Sequence, residues 1–250
     1  MATGLVGKAY KEIFEDWSTE NIATSAADGV RWLATSDAGN TAFAITADAA
    51  GPIAQAATDT TDDDMCEIAH SLLAWSVQNG DLLLETRVRV AVGGVDDIAF
   101  TVGFNDDALE DSNTLPVELA TATFTSNATT FIGVVYDIDA TNDDVHAFWV
   151  DDDADTTEAL ADLRFTGMAP VADKWFGVQV HLVDRGSGKG PQATITVVEE
   201  STGKQAAKTF NTTVDRDALL TPHIAFENRA AVAHTFDIDY ILVRQSRETT

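Results

Sequence analysis

Aspartate offers the most chemistry in this chain. The stretch Asp137-Ile138-Asp139-Ala140-Thr141-Asn142-Asp143-Asp144 sets several hard oxygen donors close together. Calcium takes about six to eight such oxygens in a flexible loop. Asp137, Asp139, Asp143 and Asp144 are therefore the candidate calcium ligands. The stretch lacks the Gly and Glu that an EF-hand needs at its sixth and twelfth positions. Its rival reading is a solvated acidic loop, which a chain with 29 aspartates produces by chance. The runs Asp59–Asp64 and Asp151–Asp155 invite the same bland reading.

Hydrolysis of a glycoside needs two carboxylates facing each other about 5–10 Å apart. On a β-sandwich these often share a strand as Glu-x-Asp-x-x-Glu, and no such string occurs. Glu85 and Glu118 are isolated. Asp237 and Asp239 share one strand face without a Glu at the required offset. His70, His146, His181, His223 and His234 make no metal-ligand spacing, and no Ser sits in a Gly-x-Ser-x-Gly elbow. Gly186-Ser187-Gly188-Lys189-Gly190-Pro191 superficially suggests a phosphate cradle, but Gly-Pro and a strand follow the lysine, so a hairpin loop is expected. Cys66 lies between Asp62-Asp63-Asp64 and Glu67, whose charge raises a thiol's pKa, so it is read as an apolar filler. Tryptophans could form a sugar-stacking platform. Trp149, beside Phe148 and ahead of an acidic run, is the candidate sugar contact, with core packing as its rival. Trp75 and Trp175 are expected in the core.

The elements that must position these residues are strands. Apolar and polar residues alternate with period two, between turns rich in Gly, Asp, Asn and Thr. Strands are expected at 30–35, 42–47, 67–74, 81–92, 98–105, 131–137, 145–150, 175–184, 192–199, 207–213, 223–228 and 236–244. Asp237 and Asp239 should face away from Phe236, Ile238 and Tyr240. Short helical turns are expected only at 155–163 and 215–220. This pattern predicts an all-β fold, an antiparallel two-sheet jelly-roll sandwich over residues 17–250, preceded by an arm at 1–16. Leu5, Val6, Tyr10, Ile13 and Phe14 give the arm apolar contacts to offer, and Lys8 and Lys11 suit an acidic neighbour.

The 250 residues can bury a sizeable core without a staple. The single cysteine excludes a disulfide framework. The 41 acidic residues against 15 basic ones give a net charge of −26. That charge repels phosphate backbones and anionic lipid, so neither nucleic acid nor membrane is an expected partner. Residues 1–10 show no apolar signal-peptide core, and no stretch is apolar enough to span a bilayer, so synthesis in a cytoplasm is expected.

Several segments also carry a likeness. They are 78–90 (QNGDLLLETRVRV), 98–104 (IAFTVGF), 115–118 (LPVE), 125–129 (TSNAT), 131–137 (FIGVVYD), 220–229 (LTPHIAFENR) and 236–240 (FDIDY). Their order resembles the concanavalin A-like, laminin-G-like jelly-roll proteins found among the structural genes of tailed bacteriophages. The resemblance covers about residues 17–245. It implies a non-enzymatic virion component, chiefly a capsid decoration protein on the outer shell, otherwise a tail or fibre component. The implied partners are the major capsid protein or other virion proteins. A homotrimer attached through the N-terminal arm and a virion location after synthesis in a host cytoplasm are implied too. No cofactor is implied. The same fold serves lectins, so a carbohydrate-binding module is the alternative, and a glycoside hydrolase or lyase is a third reading.

Overall fold

The computed structural model describes residues 9–18, 22–24, 31–110, 114–152, 154–155 and 163–247. Among them the strands run β1 (Ala9–Glu15), β2 (Ile22–Ala23), β3 (Trp32–Ser36), β4 (Thr41–Asp48), β5 (Gly51–Ala57), β6 (Met65–His70), β7 (Leu82–Val92), β8 (Ile98–Asn105) and β9 (Val117–Ala120). They continue as β10 (Thr123–Ser126), β11 (Phe131–Asp137), β12 (His146–Asp151), β13 (Ala154–Asp155), β14 (Phe176–Val183), β15 (Gln192–Glu199), β16 (Lys204–Asn211), β17 (Thr221–Asn228) and β18 (Thr235–Arg247). The chain is all-β, as the alternation predicts. The expected helical turn at 215–220 is a simple turn, because a six-residue stretch cannot repay helix nucleation. Most of the stretch 155–163 lies outside the described residues.

Two sheets pack face to face. The back sheet has the order β16-β15-β14-β7-β18-β5-β4, with β1 also on β18. The front sheet has the order β13-β12-β11-β8-β17-β6-β3-β2. Their inner faces interdigitate around a core that includes Trp32, Phe100, Tyr136, Phe176, Phe226 and Phe236. Phe226 and Phe236 stack across the sheets with centroids 4.6 Å apart. Offset stacking of this kind adds about 0.5–1.5 kcal/mol beyond area burial.

The two sheets differ in how they meet water. β7 and β14 alternate between buried and half-buried residues, so one face is wet. β8, β11 and β17 are buried at every residue. The outer face of the front sheet is therefore covered as well, by described parts of the chain between β8 and β11.

β18 holds the back sheet together. One edge pairs with β7 along its length. The other edge pairs with β5 at 235–238 and with β1 at 241–247. Where the partner changes, one extra residue enters β18: Ile238 faces Val88 and Ile241 faces Thr86. This bulge lets Ile238 and Ile241 both enter the core. It also turns Tyr240 outward, where strict alternation would have sent it inward with Phe236 and Ile238.

At the centre of the front sheet Gly103 and Gly133 are cross-strand partners. A Cβ on Gly103 would lie 2.5 Å from the Ile132 carbonyl oxygen and 2.7 Å from Cζ of Phe131. The Phe131 ring thus rests on bare backbone. Gly103→Ala should lower stability by about 1–3 kcal/mol, as overpacking does. Gly177→Ala, where the new methyl meets only Val198 at 3.5 Å, should stay within about 0.5 kcal/mol. Urea unfolding of both variants checks the pair.

Candidate functional site

The outer face of the front sheet is where the described polar groups come closest to a catalytic arrangement. Residues opposite one another across β6, β17 and β8 share this face. They bring Glu67 beside Ala225 and Thr101, and His223 beside Ala69 and Gly103. Nε2 of His223 lies 2.7 Å from Oε2 of Glu67. The Glu67 carboxylate also accepts the backbone N–H of Glu110, at 3.0 and 3.1 Å to its two oxygens. Asn105 donates in turn to the Glu110 carboxyl and, at 3.1 Å, to the Asp107 carbonyl. Burial pushes the Glu110 carboxyl up, against the opposing bond from Asn105.

A carboxylate–imidazole pair could serve as general base and acid. Here both side chains are fully buried, with the Glu110 backbone on the Glu67 carboxylate. The β9–β10 hairpin seals the neighbouring part of this face. Val117, Leu119 and Ala128 pack there on Phe131, Val135, Phe148 and Val150, and Leu115 packs on Met65, Ala99 and Ala225. The polar group therefore ties a covering segment to the sheet.

The calcium candidates do not converge. The buried Asp137 carboxylate receives Arg229 Nε at 3.1 Å and Arg229 Nη2 at 2.8 Å. It also accepts the backbone N–H groups of Leu119 at 3.0 Å and Asp139 at 3.1 Å. The guanidinium supplies the positive charge that an ion would bring. Asp144 turns to Arg164, at 3.4 Å, and to the Gly167 N–H, while Asp143 is exposed. Burial and the nearby Asp137 push the Asp139 carboxyl up. Among the described residues no three His, Cys, Asp or Glu side chains are grouped to hold a metal.

Arg229 also contacts Glu227, with Glu118 at 3.8 Å and Asp63 at 3.6 Å. Several acids thus surround one buried guanidinium. Burial pushes the Glu227 carboxyl up to about 8, with Arg229 opposing and Glu118, Asp63 and Asp137 reinforcing.

Trp149 belongs to the core, stacked on Phe210 at 4.9 Å and 19°. It offers no face to a sugar. Trp75 is buried as expected. Trp175, expected in the core, is half-buried on the outer face of the back sheet. The guanidiniums of Arg87 and Arg89 cover it at 5.1 and 4.4 Å. Burial and acidic neighbours push the Cys66 thiol up, which suits a filler.

Of the arm residues, Leu5, Val6 and Lys8 lie outside the described residues. Tyr10 stands opposite Ser246 in the β1–β18 pairing. Ile13 packs on the core. Lys11 donates to the Ala74 carbonyl at 3.2 Å and lies 3.8 Å over the Trp75 ring. Phe14 is 56 % exposed and sits 5.9 Å from the ring of Tyr240.

Sequence reasoning missed the open cleft beside Phe14. It occupies about 240 Å³ on the outer face of the back sheet, where β7, β14, β15, β16 and β18 contribute Glu85, Arg87, Gln179, Thr196, Gln205 and Tyr240. Gln179 and Glu85 face each other across β14 and β7, and Gln179 Nε2 donates to Glu85 Oε2 at 2.8 Å. The Tyr240 hydroxyl donates to Glu85 Oε1 at 2.9 Å. Burial and this carboxylate push the phenol up, so it remains a donor. The lone Glu85 was visible in the sequence. Its partner Tyr240 was not, because the bulge reverses its direction.

No protein-family model matches the sequence, and no curated protein matches it. Solved structures do. A protein of unknown function from Shewanella oneidensis MR-1 superposes with a TM-score of 0.60 at 11 % identity, over 100 % of this chain and 92 % of that one. Peanut lectin, in complex with a nonapeptide, gives 0.56 at 11 %, over 97 % and 100 %. The exoplasmic/lumenal domain of VIP36, bound to Ca²⁺ and Man3GlcNAc, gives 0.54 at 10 %, over 88 % and 87 %. At these identities the likeness establishes the fold, a legume-lectin-like, concanavalin A-like sandwich.

One consequence of the buried acids is measurable. Folded Glu227 keeps a proton that the unfolded chain releases, so this residue's contribution to stability falls as pH rises from about 4.5 to about 8. Glu227→Gln should flatten the pH dependence across that window and raise stability most at its upper end. Thermal melts at pH 5 and pH 8 check this; an unchanged slope contradicts it.

Proposed function

We propose that this chain is a non-catalytic recognition domain that binds carbohydrate at the cleft on the outer face of the back sheet. The observation that carries the reading is the Gln179–Glu85–Tyr240 group, a carboxylate fixed from two sides beside a half-buried phenol in an open cleft. Sugar hydroxyls both donate and accept. Each Glu85 oxygen has one bond satisfied and a lone pair to spare, and the Gln179 amide keeps a second N–H and its carbonyl. The partners hold one another in place, so little side-chain freedom is lost on binding. Phe14 and the Tyr240 ring extend an aromatic wall on which a pyranose could stack.

The lectins among the fold neighbours support this reading by analogy of fold alone. Hydrolysis finds less support, because both side chains of the Glu67–His223 pair are fully buried. Capsid decoration, implied by the sequence resemblance, is favoured by no feature of the described residues.

A glycan array probed with the labelled full chain tests the proposal. The expected result is saturable binding to at least one saccharide. Tyr240→Ala and Glu85→Gln should each weaken it at least about tenfold, roughly 1.4 kcal/mol, with melting temperatures near that of the parent chain. Absence of saturable binding, or binding unchanged in both variants, contradicts it.

A further inference from the structure

The cleft contains a cation that looks available to an acidic ligand. Arg87 lines it, and arginine is the usual receptor for carboxylate and sulfate groups. Its charge is already paired with two carboxylates. Nε lies 3.0 Å and Nη2 2.7 Å from Oδ2 of Asp239. Nη1 lies 3.0 and 3.3 Å from the two oxygens of Glu200. One face of the guanidinium also lies over Trp175. Asp239 meets Arg87 from the outward position that regular alternation already gives it, whereas Tyr240 reaches Glu85 through the bulge.

Among the described residues, two further cations of this sheet are engaged elsewhere. Arg89, one strand-face step along β7, bonds Asp237 at 2.6 Å and Asp48 at 3.2 Å. Lys204, at the start of β16, turns to the Gly167 carbonyl. Glu85, Glu200 and Asp239 thus stand against a single guanidinium, on a chain carrying −26 overall.

From this balance we infer that the cleft selects its saccharide by charge, taking amino sugars in preference to neutral sugars and rejecting uronates. The inference rests on the proposed carbohydrate reading and adds the ligand class. An ammonium group gains the spare lone pairs of Glu85 and the local negative potential. A neutral ring gains only hydrogen bonds. A uronate carboxylate meets three acids and an arginine whose charge they already offset.

Three β-1,4-linked trisaccharides on the same gluco ring, one cationic at C2, one neutral and one anionic at C6, test it: glucosamine, glucose and glucuronic acid oligomers, titrated calorimetrically at low salt. The glucosamine trimer should bind about tenfold more tightly than the glucose trimer, and the glucuronic acid trimer at least about tenfold more weakly. Both gaps should shrink in molar salt, where screening acts within about 3 Å. Glu200→Gln combined with Asp239→Asn releases Arg87 and should raise uronate affinity about tenfold or more.

Equal affinities for the three trimers, or a uronate preference in the parent chain, overturn the inference while leaving carbohydrate binding intact. So does failure of all three trimers to bind while another saccharide on the array binds. If the array is also empty, the inference falls together with the reading it rests on.

Discussion

The one-residue slip between β18 and β7 is the constraint on which the back face depends. β18 is thirteen residues long and serves three neighbours. β5 leaves its edge after Ile238, and β1 takes over at Ile241. A strand in strict register would send Tyr240 into the core and leave Ile241 outside. The extra residue keeps Ile238 and Ile241 among the apolar side chains and leaves two consecutive polar residues facing water. The Thr86 hydroxyl donates to the Tyr240 carbonyl at 2.6 Å, so a backbone acceptor at the irregularity is paired. Tyr240 then reaches Glu85, beside Asp239, which meets Arg87 from its regular outward position. A local defect in strand pairing is thus what adds Tyr240 to the cleft.

The front face follows a different logic. Its outer side carries Met65, Ala99, Phe131, Val135 and Phe148, and such a face cannot be left in water without aggregation. Leu115, Val117, Leu119 and Ala128 cover it. Covering it also encloses Glu67, His223 and Asp137, and each buried polar group then needs a partner. Glu67 finds the Glu110 backbone and His223, and Asp137 finds Arg229. Both pairings hold a loop to a sheet. Polar clusters that a sequence would offer as catalytic or metal-binding are spent on closure.

Much of this architecture was legible from alternation. Ile98–Asn105, Phe131–Asp137 and Gln192–Glu199 have the expected bounds, because each pairs regular burial with a clear turn on either side. β5, with its Ala, Gly and Pro, carried too weak a pattern to be seen, as did the short strands β9 and β10. β1 mixes charges that read as an arm, yet its backbone completes the edge of β18. The site was less legible than the fold. Hydrophobic periodicity cannot reveal a bulge, so Tyr240 was assigned to the wrong face. Nor can it reveal that Arg229 would occupy Asp137, since 92 residues separate them. Trp149 drew notice by its position next to an acidic run, but depth in the sandwich is set by the register of β12 against β11, which pairs it with Ile132 on the inner face.

The central claim is that recognition takes place on the back sheet and that the front face stays closed. Chemical-shift mapping of the ¹⁵N-labelled chain, titrated with a saccharide that binds, tests this most directly. The account predicts perturbed amides on β7, β14 and β18 around Glu85, Gln179 and Tyr240, with the amides of Glu67, Glu110 and His223 unmoved. Perturbations concentrated on the segment 106–130 and the front sheet beneath it, with β7 and β18 silent, would contradict it.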